Sequence, residues 1–507
     1  MNIKNIKTYI LSGILALSMS SCLDKYPEDS IRMDEAINTV DDMDKLVYGI
    51  YDSFKSNALY SGNLTILPDL QADFVYCVKG YSNAYGDIYR WKDIKATNTD
   101  IESVYGALYG VINTANFLLD NVDKVKANTN SDQELDKLEQ YQGEAYFARA
   151  LAYSELIKCF CKAYDSDEQA EKELGVVLTE HYYGNEPQKR ASLKESYDFV
   201  LRDLDKAAEY LKVDEDFTGT LYDEIYFNEY ACHALRARVS LYMHRWDDAI
   251  KYASKVINSK YYVLASCTQK IGNTSYYQYQ WTAGKSTEGI WKVGFTVNSY
   301  GGALGTIFDN YNYVSYRPDY VPETWVINSF DANDLRAAAI FTTRTTGYEH
   351  GLQWPLLSKY FGDAEFLNNN ILHVHQPMVF RLSEQYLIRA EAYAMKEEYG
   401  KAGKDISTLR TARYSSYGGN TSMSDESSAM KIIEAERVKE LYMEGFRLND
   451  LKRWHKGFER KAADQPAANF VQSSLKVEKD DPLFVWPIPQ HELEAPGSEI
   501  QPNESNK

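Results

Sequence analysis

The residues with most capacity for chemistry in this sequence are its tyrosines, 42 of them against 19 phenylalanines. A tyrosine offers a flat apolar face and a hydroxyl on a side chain with few rotatable bonds, so it holds a ligand at low entropic cost. Sugars suit that chemistry, because one face of a pyranose presents C–H groups while its hydroxyls need partners such as Asn, Asp and Arg. Two stretches concentrate aromatics outside any helical period. Residues 57 to 100 carry Tyr76, Tyr81, Asn83, Tyr85 and Trp91 among Gly62, Pro68, Gly80 and Gly86. Residues 266 to 380 carry Tyr276, Tyr277, Tyr279, Trp281, Tyr300, Tyr311, Tyr313 and Tyr316 among Gly284, Gly289, Gly301, Gly302 and Gly305. A turn-rich surface loop has little structural need for so many large rings. Tyr76, Tyr81, Asn83, Tyr85, Trp91, Tyr276, Tyr277, Trp281, Tyr300, Tyr311 and Tyr313 are therefore the candidate ligand-binding residues. Tyr146, Tyr153, Tyr197, Tyr242, Tyr386 and Tyr393 keep helical spacing and read as packing residues instead.

Catalytic signatures are missing. The sequence has no GxSxG, HExxH, phosphate-binding loop or dinucleotide glycine motif. His373 and His375 form an HxH on a predicted strand, where both would face one way, but no third metal ligand lies nearby in sequence. Acidic pairs such as Glu436 and Glu440 recur at helical spacing throughout, so none stands out as a general acid and base. The reading is a binding protein with no catalytic residues, no metal and no cofactor.

The N-terminus describes an exported chain. Lys4 and Lys7 precede an uncharged apolar run from Tyr9 to Met19, too short for a permanent membrane span and closed by Ser20, Ser21 and Cys22. Residues 1–21 read as a signal peptide. Their removal takes away Lys4 and Lys7 and no acid, so the formal charge moves from −18 to −20. So acidic a surface repels phosphate backbones and excludes nucleic acid as a partner. Five cysteines remain after Cys22, an odd number, and read as buried free thiols.

Around the loops the chain reads as helix. Apolar residues at helical spacing predict helices over 37–54, over 104–119 and through 143–160, and Ser192 with Glu195 makes a capping box before another. The run Asp165 to Glu173 reads as a solvated connection. Leu235–Tyr252 aligns without a gap on Ile388–Asp405, placing Arg236 on Arg389, Trp246 on Tyr399 and Ala249 on Ala402. Each copy is a helix, a short turn with an aromatic, and a second helix with a small residue near its start, the tetratricopeptide arrangement. The stretch ERVKELYMEGFRLNDLKRW, residues 436–454, predicts one helix whose apolar face takes a close neighbour at Gly445. Its charges read as solvated or as i,i+3 pairs, Glu444 with Arg447 and Asp450 with Arg453.

That last stretch closely resembles a signature of the SusD/RagB family of surface glycan-binding lipoproteins. The same resemblance holds for GEAYFARALAYSELIKCF from Gly143, for Arg190 with YDFVLRDLDKAAEYL, for DANDLRAAAIF from Asp331 and for FVWPIPQHELEAPGSEIQPN near the C-terminus. The small residues before Cys22 resemble a lipoprotein cleavage site with Cys22 lipidated. The resemblance implies a mostly α fold, with tetratricopeptide-like helix pairs, irregular loop-rich insertions and a few short strands. It implies an N-terminal part over 22–265 and a C-terminal part over 266–507. It further implies an outer-membrane lipoprotein facing the cell exterior, anchored only by its lipid, that binds glycans and passes them to a SusC-like TonB-dependent transporter. A RagB-like branch implies peptide uptake as the alternative.

Overall fold

A computed structural model describes residues 36–183, 188–213, 225–348 and 351–507. The predicted signal peptide and Cys22 lie outside the described residues.

The chain is mostly helical. α1 (Val40–Ser53) starts at a Thr39 capping box, and Met43, Val47 and Ile50 bury its apolar stripe. Two long helices follow, α3 (Thr99–Asn128) and α4 (Asp132–Phe160), which pack on each other, and α4 packs on α5 (Leu193–Tyr210). α5 begins at the Ser192 and Glu195 capping box that the sequence predicts. The acidic connection before it contains a short helix, Asp167–Ala170.

The internal repeat is structural. α6 (Glu229–Tyr242) with α7 (Trp246–Asn258), and α8 (Leu382–Met395) with α9 (Tyr399–Arg413), form two helix pairs, and α7 packs against α8 so that the pairs stack. The aligned alanines Ala249 and Ala402 are both fully buried. The turns match in backbone as well as length. His244 and Glu397, which the alignment superposes, both take the left-handed conformation, with φ of 56° and 60°.

Two expectations fail for identifiable reasons. Residues 63–71 are not loop but a helix, α2 (Asn63–Gln71), buried on every face, so it shows no polar stripe in sequence. Pro68 inside it removes one N–H that would bond the Leu64 carbonyl. Residues 436–454 are not one helix but the end of α10 (Glu426–Glu440), a turn, and α11 (Arg447–Arg453). Gly445 makes the turn at φ 83°, and a β-carbon there would stand 3.1 Å from the Leu64 carbonyl oxygen. Buried Asp69 of α2 accepts from the N–H groups of Gly445 at 2.9 Å and Arg447 at 2.7 Å, capping α11 from outside its own chain segment.

The charges of this segment are buried, not solvated. Glu440 accepts from Arg381 at 2.8 Å, Arg413 at 2.8 Å and Arg336 at 2.9 Å, and Glu436 accepts from Arg336 at 2.6 Å and Arg410 at 2.8 Å. These cations hold Glu440 well below the carboxylate range and Glu436 at about 2, despite the opposing cost of burial. Of the two expected pairs, Asp450 with Arg453 forms at 2.9 Å. Glu444 turns instead to Arg381, and Arg447 to Asp73 and Glu434.

Strands are few and short. β1 (Val75–Cys77) pairs antiparallel with β2 (Tyr320–Pro322), and β3 (Phe341–Thr345) pairs with β4 (Gln353–Leu357). Cys77, Cys159, Cys161, Cys232 and Cys267 are all buried free thiols. No helix among the described residues is long and apolar enough to cross a membrane.

Candidate functional site

The two aromatic stretches, far apart in sequence, meet through β1 and β2. In this ladder Tyr76 faces Val321 and Cys77 faces Tyr320. The loop after β1 is then tied to the loop before β2. The Ser82 backbone N–H and hydroxyl donate to Asp319 at 2.5 and 2.9 Å, and the Tyr320 hydroxyl donates to the Ala84 carbonyl at 2.6 Å. The β3–β4 hairpin closes the third side, where Gly347 N–H donates to the Tyr316 carbonyl at 2.7 Å and Tyr348 hydroxyl to the Pro318 carbonyl at 2.5 Å.

The result is an arc of rings with polar groups between them. Tyr311 and Tyr316 stack, with centroids 4.5 Å apart and planes at 23°, and Tyr313 lies 5.8 Å from Tyr311. Tyr313 is 58% exposed, while Tyr311 and Tyr316 are half-buried. His373 Nε2 lies 3.1 Å from the Tyr311 backbone nitrogen and 3.2 Å from the Tyr311 carbonyl oxygen, accepting from the first when unprotonated and donating to the second when protonated; burial lowers the His373 pKa, and the bond to the Tyr311 carbonyl opposes that shift. On the other side, Tyr81 hydroxyl donates to Asn83 Oδ1 at 2.9 Å and accepts from Arg90 at 2.9 Å, and Tyr81 packs 5.8 Å from Tyr320. Asn83 is exposed in the left-handed conformation, φ 71°, which asparagine tolerates better than most residues.

The other predicted residues divide by burial. Tyr76, Tyr277 and Trp281 are core side chains, and their selection as ligand contacts is corrected. Tyr76 donates to the Pro466 carbonyl at 2.9 Å beneath the β1–β2 pair. Trp281, 2% exposed, is covered by Lys359, whose Nζ sits 4.0 Å from its ring centroid, and by the Arg381 guanidinium at 5.5 Å. Tyr277 lies under the Arg413 guanidinium at 4.5 Å. These rings wall the buried ion network, a use of aromatics that their loop-like spacing conceals. Burial draws the Lys359 pKa down to about 8.

Trp91 is half-buried, donates to the Gln71 carbonyl at 2.6 Å and packs 5.0 Å from Phe484, away from the arc. Tyr85 and Tyr276 are half-buried against the main core. Tyr300, 44% exposed, lies 5.9 Å from Phe366 in the short helix Ala364–Asn368, on the segment that continues to His373. His373 and His375 do not form a metal pair. They lie in irregular backbone, and His375 Nδ1 is 2.5 Å from Asp363 while His373 serves Tyr311.

Sequence reasoning missed the arc's charged members. Arg344 places its guanidinium 5.1 Å from the Tyr316 ring centroid, and Arg317 is exposed beside Gly347. Neither follows a motif, and strand alternation in β3 is a signal for Arg344 alone. The arc is an open surface. The cavities of about 680 Å³ at Glu180, Lys189 and Arg202 and about 390 Å³ at Lys162, Lys452 and His455 are lined by none of its residues.

The chain is similar to known proteins over almost all of its length. Residues 268–503 match the model of the SusD family, and residues 22–241 match a model described as starch-binding associating with outer membrane. SusD-like protein P25 of Formosa agariphila is 21% identical over 511 residues, covering 90% of each chain. A SusD superfamily crystal structure from Bacteroides thetaiotaomicron shares the fold, with TM-score 0.76, 23% identity and coverage of 92% of this chain and 99% of that one. Two Bacteroides vulgatus structures do likewise. One, a putative sugar binding protein, has TM-score 0.74 at 23% identity over 93% of this chain and all of that one. The other, a SusD-like carbohydrate binding protein, has TM-score 0.72 at 19% identity over 90% of this chain and 97% of that one. With both halves matched by models of one family and the overall fold shared with its solved structures, this chain belongs to the SusD/RagB family.

Proposed function

We propose that this protein binds oligosaccharides at the arc formed by Tyr311, Tyr313 and Tyr316 with Tyr81 and Asn83. It then delivers them to a SusC-like TonB-dependent transporter in the outer membrane. The observation that carries the reading is the Tyr311–Tyr316 stack at 4.5 Å beside the exposed Tyr313, which offers several ring faces at a surface bordered by hydrogen-bonding groups. An open arc suits a chain longer than itself, since the ends of a polysaccharide can run past it. Tyr300 extends the same surface along the Phe361–His373 segment.

The family models support glycan binding, and two of the structural relatives are described as sugar or carbohydrate binding proteins. Lipidation at Cys22 would hold the protein on the cell exterior. No step of this function breaks a bond, so the arc needs no acid, base, metal or cofactor. Calorimetry against a panel of oligosaccharides and a peptide mixture tests the reading. Oligosaccharide binding that falls with Tyr313→Ala supports it. Binding of peptides with no saccharide bound overturns it in favour of peptide uptake.

A further inference from the structure

Resting on that reading, we infer that the preferred ligand is an anionic oligosaccharide, one bearing carboxylate or sulfate groups, gripped by Arg317 and Arg344 beside the stacked tyrosines. Arginine is used elsewhere in this chain as a buried partner of carboxylates. Arg149 donates to Asp203 at 2.7 Å and Arg238 to Glu384 at 2.7 Å, both pairs inaccessible to solvent. The two arginines at the arc differ. Among the described residues neither has an ion-pair partner, although Arg344 reaches the Tyr316 ring and Arg317 is exposed.

The described acids around them are already hydrogen-bonded, ion-paired or neutralised. Asp319 spends both carboxylate oxygens on Ser82, and Asp87 is held by Arg90 at 2.9 Å. Asp309 is buried, and burial pushes its pKa up to about 8, so at neutral pH it carries little charge. Arg317 and Arg344 therefore leave two guanidinium groups without ion-pair partners among the described residues, on a chain of net charge −18. Such a chain repels anionic ligands at long range, and an unpaired guanidinium pair at the stacking surface is what local capture of one requires. A guanidinium also matches the planar spread of carboxylate or sulfate oxygens, which neutral sugar hydroxyls do not need.

The test measures binding of the mature protein to uronate-bearing, sulfated and neutral oligosaccharides of equal length by calorimetry, at 50 and 500 mM NaCl. The expected result is at least about tenfold tighter binding of an anionic probe at low salt, with the advantage shrinking at high salt as charges are screened. Arg317→Gln and Arg344→Gln should each weaken that probe by about tenfold, the scale of one charge-assisted hydrogen bond, with folding checked by thermal melting. Whether the uronate or the sulfate arm prevails names the charged group. A neutral oligosaccharide bound as tightly as both anionic ones, with no salt dependence, overturns the inference and leaves glycan binding standing. Binding of peptides and of no saccharide overturns both.

Discussion

Ser82 and Asp319 are joined by two hydrogen bonds across 237 residues, the Ser82 N–H at 2.5 Å and its hydroxyl at 2.9 Å, and this clasp brings the two aromatic loops into one surface. Asp319 is buried while Ser82 is exposed, so both bonds are partly shielded from water. Asp319→Ala should lower stability by about 1.5–3 kcal/mol, the range for hydrogen bonds to a charged group. It should also weaken ligand binding about tenfold by letting the Tyr81 and Tyr311 sides separate. Denaturant midpoints and calorimetry on the same variant check both numbers.

Tyr313 and Trp281 should behave as opposites. Tyr313→Ala removes an exposed ring and should cut ligand affinity about five- to tenfold, with the melting temperature almost unchanged. Trp281→Ala opens a cavity between Lys359 and Arg381 and should cost about 3–5 kcal/mol of stability. Equal loss of affinity with no loss of stability in Trp281→Ala would return that residue to the binding surface.

Arg447 is scaffold. Its guanidinium donates to Asp73 at 2.8 and 2.9 Å and to Glu434 at 2.9 Å while nearly excluded from solvent. Arg447→Ala strands a buried carboxylate and should destabilise the chain by about 3–5 kcal/mol. The Kd of the folded fraction should not change, which calorimetry below the transition temperature reads directly.

Stability should peak at mildly acid pH. Burial raises Asp69 to about 7, and Asp309 and Glu323 to about 8. These groups are protonated in both states below about pH 4. As pH rises from 4 to 8 the unfolded chain ionises first, so it binds fewer protons than the native state and stability falls. Glu436 works the other way. Held at about 2 by Arg336, Lys439 and Arg410, it contributes stability above its unfolded pKa that is lost as pH drops from about 4.5 towards 2. Asp309→Asn should flatten the alkaline limb, gaining several kcal/mol at pH 9 at about 1.4 kcal/mol for every tenfold difference in proton affinity. Urea midpoints from pH 3 to 9 measure both limbs.

Glu397 sits exposed at φ 60° in the turn of the second helix pair, a conformation costly for any side chain. Glu397→Gly should therefore raise stability by about 0.5–1 kcal/mol, visible as a rise in melting temperature, and leave ligand binding alone.

Local signals in the sequence determined the helices, their caps and the repeat, because an apolar stripe, a Ser192 and Glu195 box and an aligned Trp246 and Tyr399 each act within a few turns of chain. They also determined that rings were concentrated in two irregular stretches. Which rings meet ligand was decided by tertiary structure alone. Tyr76, Tyr277 and Trp281 look no different in sequence from Tyr311 and Tyr313, yet partners hundreds of residues away or supplied by other elements, such as Pro466, Arg413 and Lys359, cover the first three. The same holds for the charges of residues 436–454. Solvated and buried carboxylates are written with the same letters, and only the convergence of Arg336, Arg381 and Arg413 on Glu440 makes its ionised form stable in the interior.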